Sequence, residues 1–230
     1  MDKGYVRYRK HDLVWENYAS FEERLEYLYE KFPSLKAVER EGNHRLVVRR
    51  KVVNFAPKSG VGAEIGVFTG MFAEILVEIA RPRTLYLVDP WAKLHGQSFP
   101  DWGAYTANRR LSTQAAKEAA SLRANMLRSE CKVVEAFSAD WLTTFQEPFL
   151  DWVYLDASHK YDAVLSDLRN IAKCMKPEGV ILGDDCWLSG SSNEQGVATA
   201  LNDFLEESDY DIVYHDQFGQ WALQKPESDA

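Results

Sequence analysis

The 230-residue sequence is short of cysteine, of long apolar runs and of surplus positive charge, and each shortage excludes a class of function. Cys131, Cys174 and Cys186 are odd in number and show no CxxC spacing. Neither a disulfide framework nor a zinc ribbon is therefore expected, and the thiols read as reduced. No stretch of ~20 apolar residues is present to span a bilayer. The opening MDKGYVRYRK is charged, with no apolar run behind it, so a secretory signal is not expected and a cytoplasmic location is. Lys plus Arg total 27 against 35 Asp plus Glu, a net charge of −8, which argues against nucleic acid and anionic lipid as partners. What remains, 46% hydrophobic and 27% charged residues, is the composition of one soluble globular domain with a full core.

From residue 1 to about 55 the chain is polar and aromatic, with Phe21, Leu25, Leu28 and Phe32 at helical spacing and Pro33 closing that helix. The basic, β-branched stretch HRLVVRRKVVNF, His44 to Phe55, reads as a strand or a short helix, with nothing to choose between them. We divide the chain into this N-terminal helical extension, residues 1–55, and a main domain, residues 56–230.

Beyond Gly60, short apolar runs alternate with helical patterns, the signature of βαβ units in a parallel sheet. Seven runs are legible, beginning at Val61, Thr84, Lys132, Leu150, Gly179, Tyr210 and Gln220. One helical stripe carries Met71, Phe72, Ile75, Leu76 and Ile79, and a longer one runs from Tyr161 to Met175. Only residues 215–219 separate the last two strands, too few for a crossover helix, so these pair as an antiparallel hairpin. The expected fold is α/β, a doubly wound seven-stranded sheet, mostly parallel with a C-terminal antiparallel hairpin.

In such a sheet the ligand crevice lies beyond the carboxyl ends of the strands. The first strand ends EIGVFTG, where Gly66 and Gly70 permit a tight turn and close approach of a ligand. The spacing is not GxGxxG, and Glu64 sets a negative charge where a dinucleotide pyrophosphate would sit. The second strand ends LVDPW. Asp89, 25 residues past Glu64, suits the two hydroxyls of a ribose, and equally suits a turn before Pro90. The third leads into FSAD, either a turn that reads an adenine edge or a helix N-cap formed by Ser138 or Asp140. The fourth and fifth supply Asp156, Asp184 and Asp185, three carboxylates at neighbouring strand ends that repel unless compensated. A hard divalent cation, Mg²⁺ above all, would compensate them. Otherwise Asp156 caps the next helix and the pair faces solvent.

These residues resemble the class I S-adenosylmethionine-dependent methyltransferases over roughly residues 53–225. The resemblance implies a Rossmann-like fold with S-adenosylmethionine as cofactor, held by Glu64, Gly66, Phe68 and Gly70 at its methionine end, by Asp89 at the ribose and by Ser138 and Ala139 at the adenine. LDASHKYDAV followed by GVILGDDCW is similar to paired motifs of the metal-dependent O-methyltransferases, of the catechol, caffeoyl-CoA and antibiotic-sugar types. That implies Asp156, Asp184 and Asp185 as Mg²⁺ ligands, with Asp156 touching the cofactor and the reaction as well. The chain departs from both patterns nearby, with Ser158 where the sugar enzymes carry a second Asp and His159 where the catechol group carries a Lys.

The implied reaction moves a methyl group onto a hydroxyl oxygen of a small molecule. His159, beside the acidic cluster, has the ordinary pKa of ~6.5 that suits a general base; the alternative is a histidine bonded only to backbone. Phe99, Trp102 and Tyr105 lie in a long connection that reads as a lid or pocket wall, and Trp187 follows the acidic pair. The N-terminal extension either covers the cofactor side or forms a homodimer interface.

Overall fold

The computed structural model describes residues 21–91, 110–188 and 195–226. Helix α1 (Phe21–Lys31) carries Leu25 and Leu28 of the expected stripe, and Pro33 does not merely stop it: after Phe32 it opens helix α2 (Pro33–Arg49). Proline is tolerated at a first helical position, whose N–H has no intrahelical partner in any case. The undecided stretch from His44 resolves as the last turns of α2 followed by a 3₁₀ turn, Val52–Phe55. Its Val52 and Val53 are fully buried against the sheet, which accounts for the β-branched composition without a strand.

The main domain alternates strand and helix: β1 (Val61–Ile65), α3 (Met71–Ala80), β2 (Thr84–Asp89), α4 (Thr113–Met126), β3 (Glu130–Glu135), α5 (Ser138–Leu142), β4 (Leu150–Leu155), α6 (Tyr161–Cys174), β5 (Met175–Gly183), α7 (Gly196–Glu207), β6 (Asp211–His215) and β7 (Trp221–Gln224). All seven anticipated strands form one sheet in the order β3-β2-β1-β4-β5-β7-β6. The first five pair in parallel, and β7 runs antiparallel between β5 and β6. The fold is a Rossmann-like doubly wound sheet with a terminal hairpin, as expected.

Alternation along the strands builds two cores. Trp152 and Tyr154 of β4 face α3, α4 and the N-terminal helices, whereas Val153 and Leu155 face α5, α6 and α7. Leu28, Leu35 and Val38 of the first two helices share the former core with Phe72 and Leu76 of α3. That face is tied by a buried ion pair. Arg123 of α4 donates to both oxygens of Glu39 on α2 (2.8 and 3.0 Å), to Glu74 on α3 (2.8 Å) and to the Thr69 carbonyl (2.9 Å). The three cysteines are free thiols. Among the described residues no helix is long and apolar enough to cross a membrane.

Candidate active site at the strand ends

Register aligns the site. Ile65 pairs with Val88 and with Leu155, and Leu155 with Gly183, so the next residues, Gly66, Asp89, Asp156 and Asp184, stand side by side across four adjacent strands. The ladder continues one bond further, with Gly66 N donating to Val88 O (2.9 Å) and Asp156 N to Ile65 O (2.8 Å). Gly66 has φ +90°, and a Cβ there would lie 1.9 Å from the Asp156 carbonyl, so only glycine lets the first loop lie against β4. Gly70, at φ +76°, ends the loop against Ala120 of α4.

Between these glycines the loop is held from β2. Asp89 Oδ2 accepts from the backbone N–H groups of Val67 (2.9 Å) and Phe68 (3.0 Å), and Oδ1 accepts from Trp91 N (3.1 Å). The anticipated turn before Pro90 is therefore present, and the same carboxylate positions the first loop. Glu64 is buried with Oε2 unpartnered, and burial, with Asp156 nearby, raises its carboxyl well above the usual range. A buried acceptor without a donor, beside a glycine turn, fits the ammonium of a methionine moiety.

At the start of α5 the helix-cap reading is overturned. Ser138 opens α5 and its hydroxyl donates to Asp167 on α6 (2.6 Å), while the Ala139 carbonyl accepts from Thr143 Oγ1 (2.8 Å). The N-cap of α5 is Phe137, and neither Ser138 nor Asp140 caps it.

The acidic cluster is compact and compensated. Asp184 and Asp185 are buried rather than facing solvent, and the N-cap of α6 is Lys160, not Asp156. Arg49, at the end of α2, bridges Asp156 Oδ2 (2.7 Å) and Asp184 Oδ2. Arg45, one turn earlier on the same face, reaches Asp184 Oδ2 (3.2 Å) and both oxygens of Asp185 (3.0 and 3.2 Å). His159 Nε2 is 3.0 Å from Asp185 Oδ2 and 3.9 Å from Asp156 Oδ1. Gln220, just before β7, donates to Asp184 Oδ1, and Trp187 Nε1 to Asp185 Oδ1 (3.2 Å). Asp185 itself sits at φ 60°, a left-handed conformation costly for a non-glycine residue.

These contacts set the protonation states. The neighbouring carboxylates of Asp156 and Asp185, the latter at hydrogen-bond distance, push His159 up to about 10, so at neutral pH it is an imidazolium, not the free base expected from its ordinary pKa. Burial works to raise Asp156 and Asp185, but Arg49 and His159 for the former, and His159 and Arg45 for the latter, hold both below the usual carboxylate range. Asp184 is raised to about 6 by burial and by Asp156.

The residues present do not fit the anticipated Mg²⁺. Three carboxylates are matched by two guanidiniums and an imidazolium, and of their six oxygens all but Asp156 Oδ1 already accept N–H bonds. One atom each of Asp156, His159 and Asp185 converges within 4.8 Å, but there the imidazole carries the proton that metal ligation would require it to lose.

Arg45 and Arg49 are the site residues that sequence reasoning passed over. Their signal was two arginines at i, i+4 opposite an uncompensated acidic trio, legible only once the stretch is read as helix. The segment holding Phe99, Trp102 and Tyr105, residues 92–109, lies outside the described residues, as do residues 1–20 with the charged opening.

A family model described as a methyltransferase domain matches residues 63–186, more than half of the chain, from the Glu64 turn to the Asp184–Asp185 pair. No curated protein matches the chain. Among solved structures, a protein from Corynebacterium glutamicum is 11% identical and superimposes with a TM-score of 0.57 over 92% of this chain and all of its own. A candidate rRNA methylase from Clostridium thermocellum is 9% identical, with a TM-score of 0.51 over 76% of this chain and 92% of its own. At such identities the likeness is one of fold. Together with the site geometry, the family match identifies the chain as a member of the methyltransferase domain family, within the class I S-adenosylmethionine-dependent enzymes.

Proposed function

We propose that the protein transfers a methyl group from S-adenosylmethionine to a hydroxyl oxygen of a small molecule. The observation that carries this reading is the adjacency of two half-sites along one line of strand ends. The Glu64–Gly70 turn with Asp89 suits the donor, and the Asp156–His159–Asp185 group, one and two strands away, suits an acceptor.

In this reading S-adenosylmethionine supplies an electrophilic methyl group on a sulfonium, and the chain's own residues hold both partners in line. Glu64 takes the ammonium at its free oxygen, the backbone of Gly66, Phe68 and Gly70 lines the methionine end, and Asp89 accepts from the ribose. Ser138 and Ala139, at the start of α5, would contact the adenine through backbone, since the serine hydroxyl is committed to Asp167. On the acceptor side, His159 acts as a charged hydrogen-bond donor that favours negative charge developing on the acceptor oxygen. The acceptor proton leaves to water, and Asp156 and Asp185, whose carboxylates are held below the usual range, keep His159 charged and oriented.

Residues 1–55 would act as a cap on the main domain, since α2 brings Arg45 and Arg49 to the acidic group. The net charge of −8 favours a small acceptor over a polyanionic one. The test is a screen of hydroxylated small molecules with S-adenosylmethionine, read by mass spectrometry. A product bearing its new methyl on oxygen, lost on Asp185→Ala, supports the reading. Methylation confined to amines, carboxylates or RNA contradicts it.

A further inference from the structure

Carboxylates drawn together at three strand ends need positive charge, and in this chain that charge is covalently attached. We infer that Arg49, assisted by Arg45, stands where a divalent cation would otherwise be required to hold Asp156, Asp184 and Asp185 together, so that the protein works without a metal ion.

Geometry carries the inference. Arg49 Nη2 lies on Asp156 Oδ2 and on Asp184 Oδ2, bridging the ends of β4 and β5 as a shared cation would. Its side chain is 10% exposed, and its guanidinium lies over the Phe72 ring at 5.5 Å. It is therefore packed into the fold rather than resting on it. Arg45 closes the outer side by engaging Asp184 and Asp185 at 3.0–3.2 Å. Mg²⁺ demands near-octahedral oxygen ligands at about 2.0–2.1 Å, and five of the six carboxylate oxygens that would supply them already accept N–H donors at hydrogen-bond distance, Asp156 Oδ1 excepted. The two kinds of partner compete for the same lone pairs. An arginine differs from a metal in what it offers the reaction: it fixes charge and orientation, but exchanges no water and binds no acceptor oxygen directly. The carboxylates then serve to orient His159, and α2 becomes part of the acceptor site.

This deepens the methyl-transfer reading at the same site but is tested without methyl donor or acceptor, so the two can fail separately. Mn²⁺, a spectroscopic stand-in for Mg²⁺, would be titrated into the full chain and followed by electron paramagnetic resonance. Wild type is expected to leave Mn²⁺ free up to ~1 mM, and folded Arg45→Met/Arg49→Met protein to bind it at least ~10-fold more tightly, the gain vanishing on adding Asp185→Asn. Wild-type binding below ~50 μM that Asp185→Asn abolishes would overturn the inference. So would a folded double variant with no gain in affinity. Removing Arg49 strips a buried group, so folding is checked by circular dichroism. Arg45→Met alone, at a half-exposed guanidinium, is the milder variant, for which a smaller gain is expected. If the double variant unfolds, the wild-type titration and Arg45→Met decide.

Discussion

Arg49, the last residue of α2, places its guanidinium 2.7 Å from the carboxylate of Asp156, the first residue beyond β4, although 107 positions separate them in the chain. That contact joins the N-terminal helices to the strand ends. It makes the acidic cluster a property of two parts of the chain, not of the sheet alone. Breaking a buried pair from one side leaves an uncompensated charge, so the positions are coupled in stability as well as in placement.

A second buried arginine predicts the cost of detaching the same helices. Arg123, on α4, is 4% exposed and joins Glu39 on α2 to Glu74 on α3. Arg123→Ala strands Glu39 inside the fold and should destabilise by about 3–5 kcal/mol. Arg169→Ala, which breaks an exposed, solvent-screened pair with Glu207, should cost far less. Urea unfolding of both variants checks the contrast; equal losses would contradict it.

Asp167 predicts a pH dependence of stability. Burial raises its carboxyl from 3.8 to about 6, against the opposing hydrogen bond from Ser138. A raised folded-state pKa means that the contribution is complete below the unfolded value and is lost as pH rises through the folded one. Between about pH 4 and pH 7 the wild type should therefore lose up to about 3 kcal/mol at this group. Asp167→Asn keeps an acceptor for Ser138 and removes the titration. Its melting temperature relative to wild type should climb over that interval, and a constant offset would contradict the assignment.

His159 should be charged at the pH of the cell. Its imidazole is held by the carboxylates of Asp156 and Asp185, which raise it from 6.5 to about 10. Its ring proton resonances, assigned by comparison with His159→Gln, should stay at protonated positions through about pH 8, while an ordinary exposed histidine titrates near ~6.5. Asp185→Asn removes the closest partner and should bring the titration down toward neutrality. A wild-type midpoint near 6.5 would return His159 to the role of a neutral base.

Legibility from sequence followed the range of the interactions. Strands such as TLYLVD and WVYL announce themselves because a parallel strand buried on both faces is a continuous apolar run. The terminal hairpin followed from the few residues between His215 and Trp221. The strand-end acids were legible because each stands at or within a few residues of the end of such a run. Helices α4 and α7 left weaker traces, α4 because its buried face is built largely of alanines at positions 115, 116, 119 and 120. The stretch from His44 could not be decided because its valines serve a 3₁₀ turn against the sheet, a tertiary demand that mimics strand composition. For the same reason the partners of the acids escaped notice. Nothing local to Arg45 or Arg49 says that Asp184, more than 130 positions later, will lie beside them. Read alone, the trio of acids called for a metal; with α2 in place, it does not.

The measurement that tests the account most directly is calorimetric titration of the full chain with S-adenosylhomocysteine, repeated on Asp89→Ala and Asp185→Ala. The account predicts micromolar binding to wild type, a loss of about tenfold or more for Asp89→Ala, and affinity within about twofold of wild type for Asp185→Ala, since the two carboxylates belong to different half-sites. No binding to wild type would contradict the donor site itself, and equal losses in the two variants would contradict its division from the acceptor side.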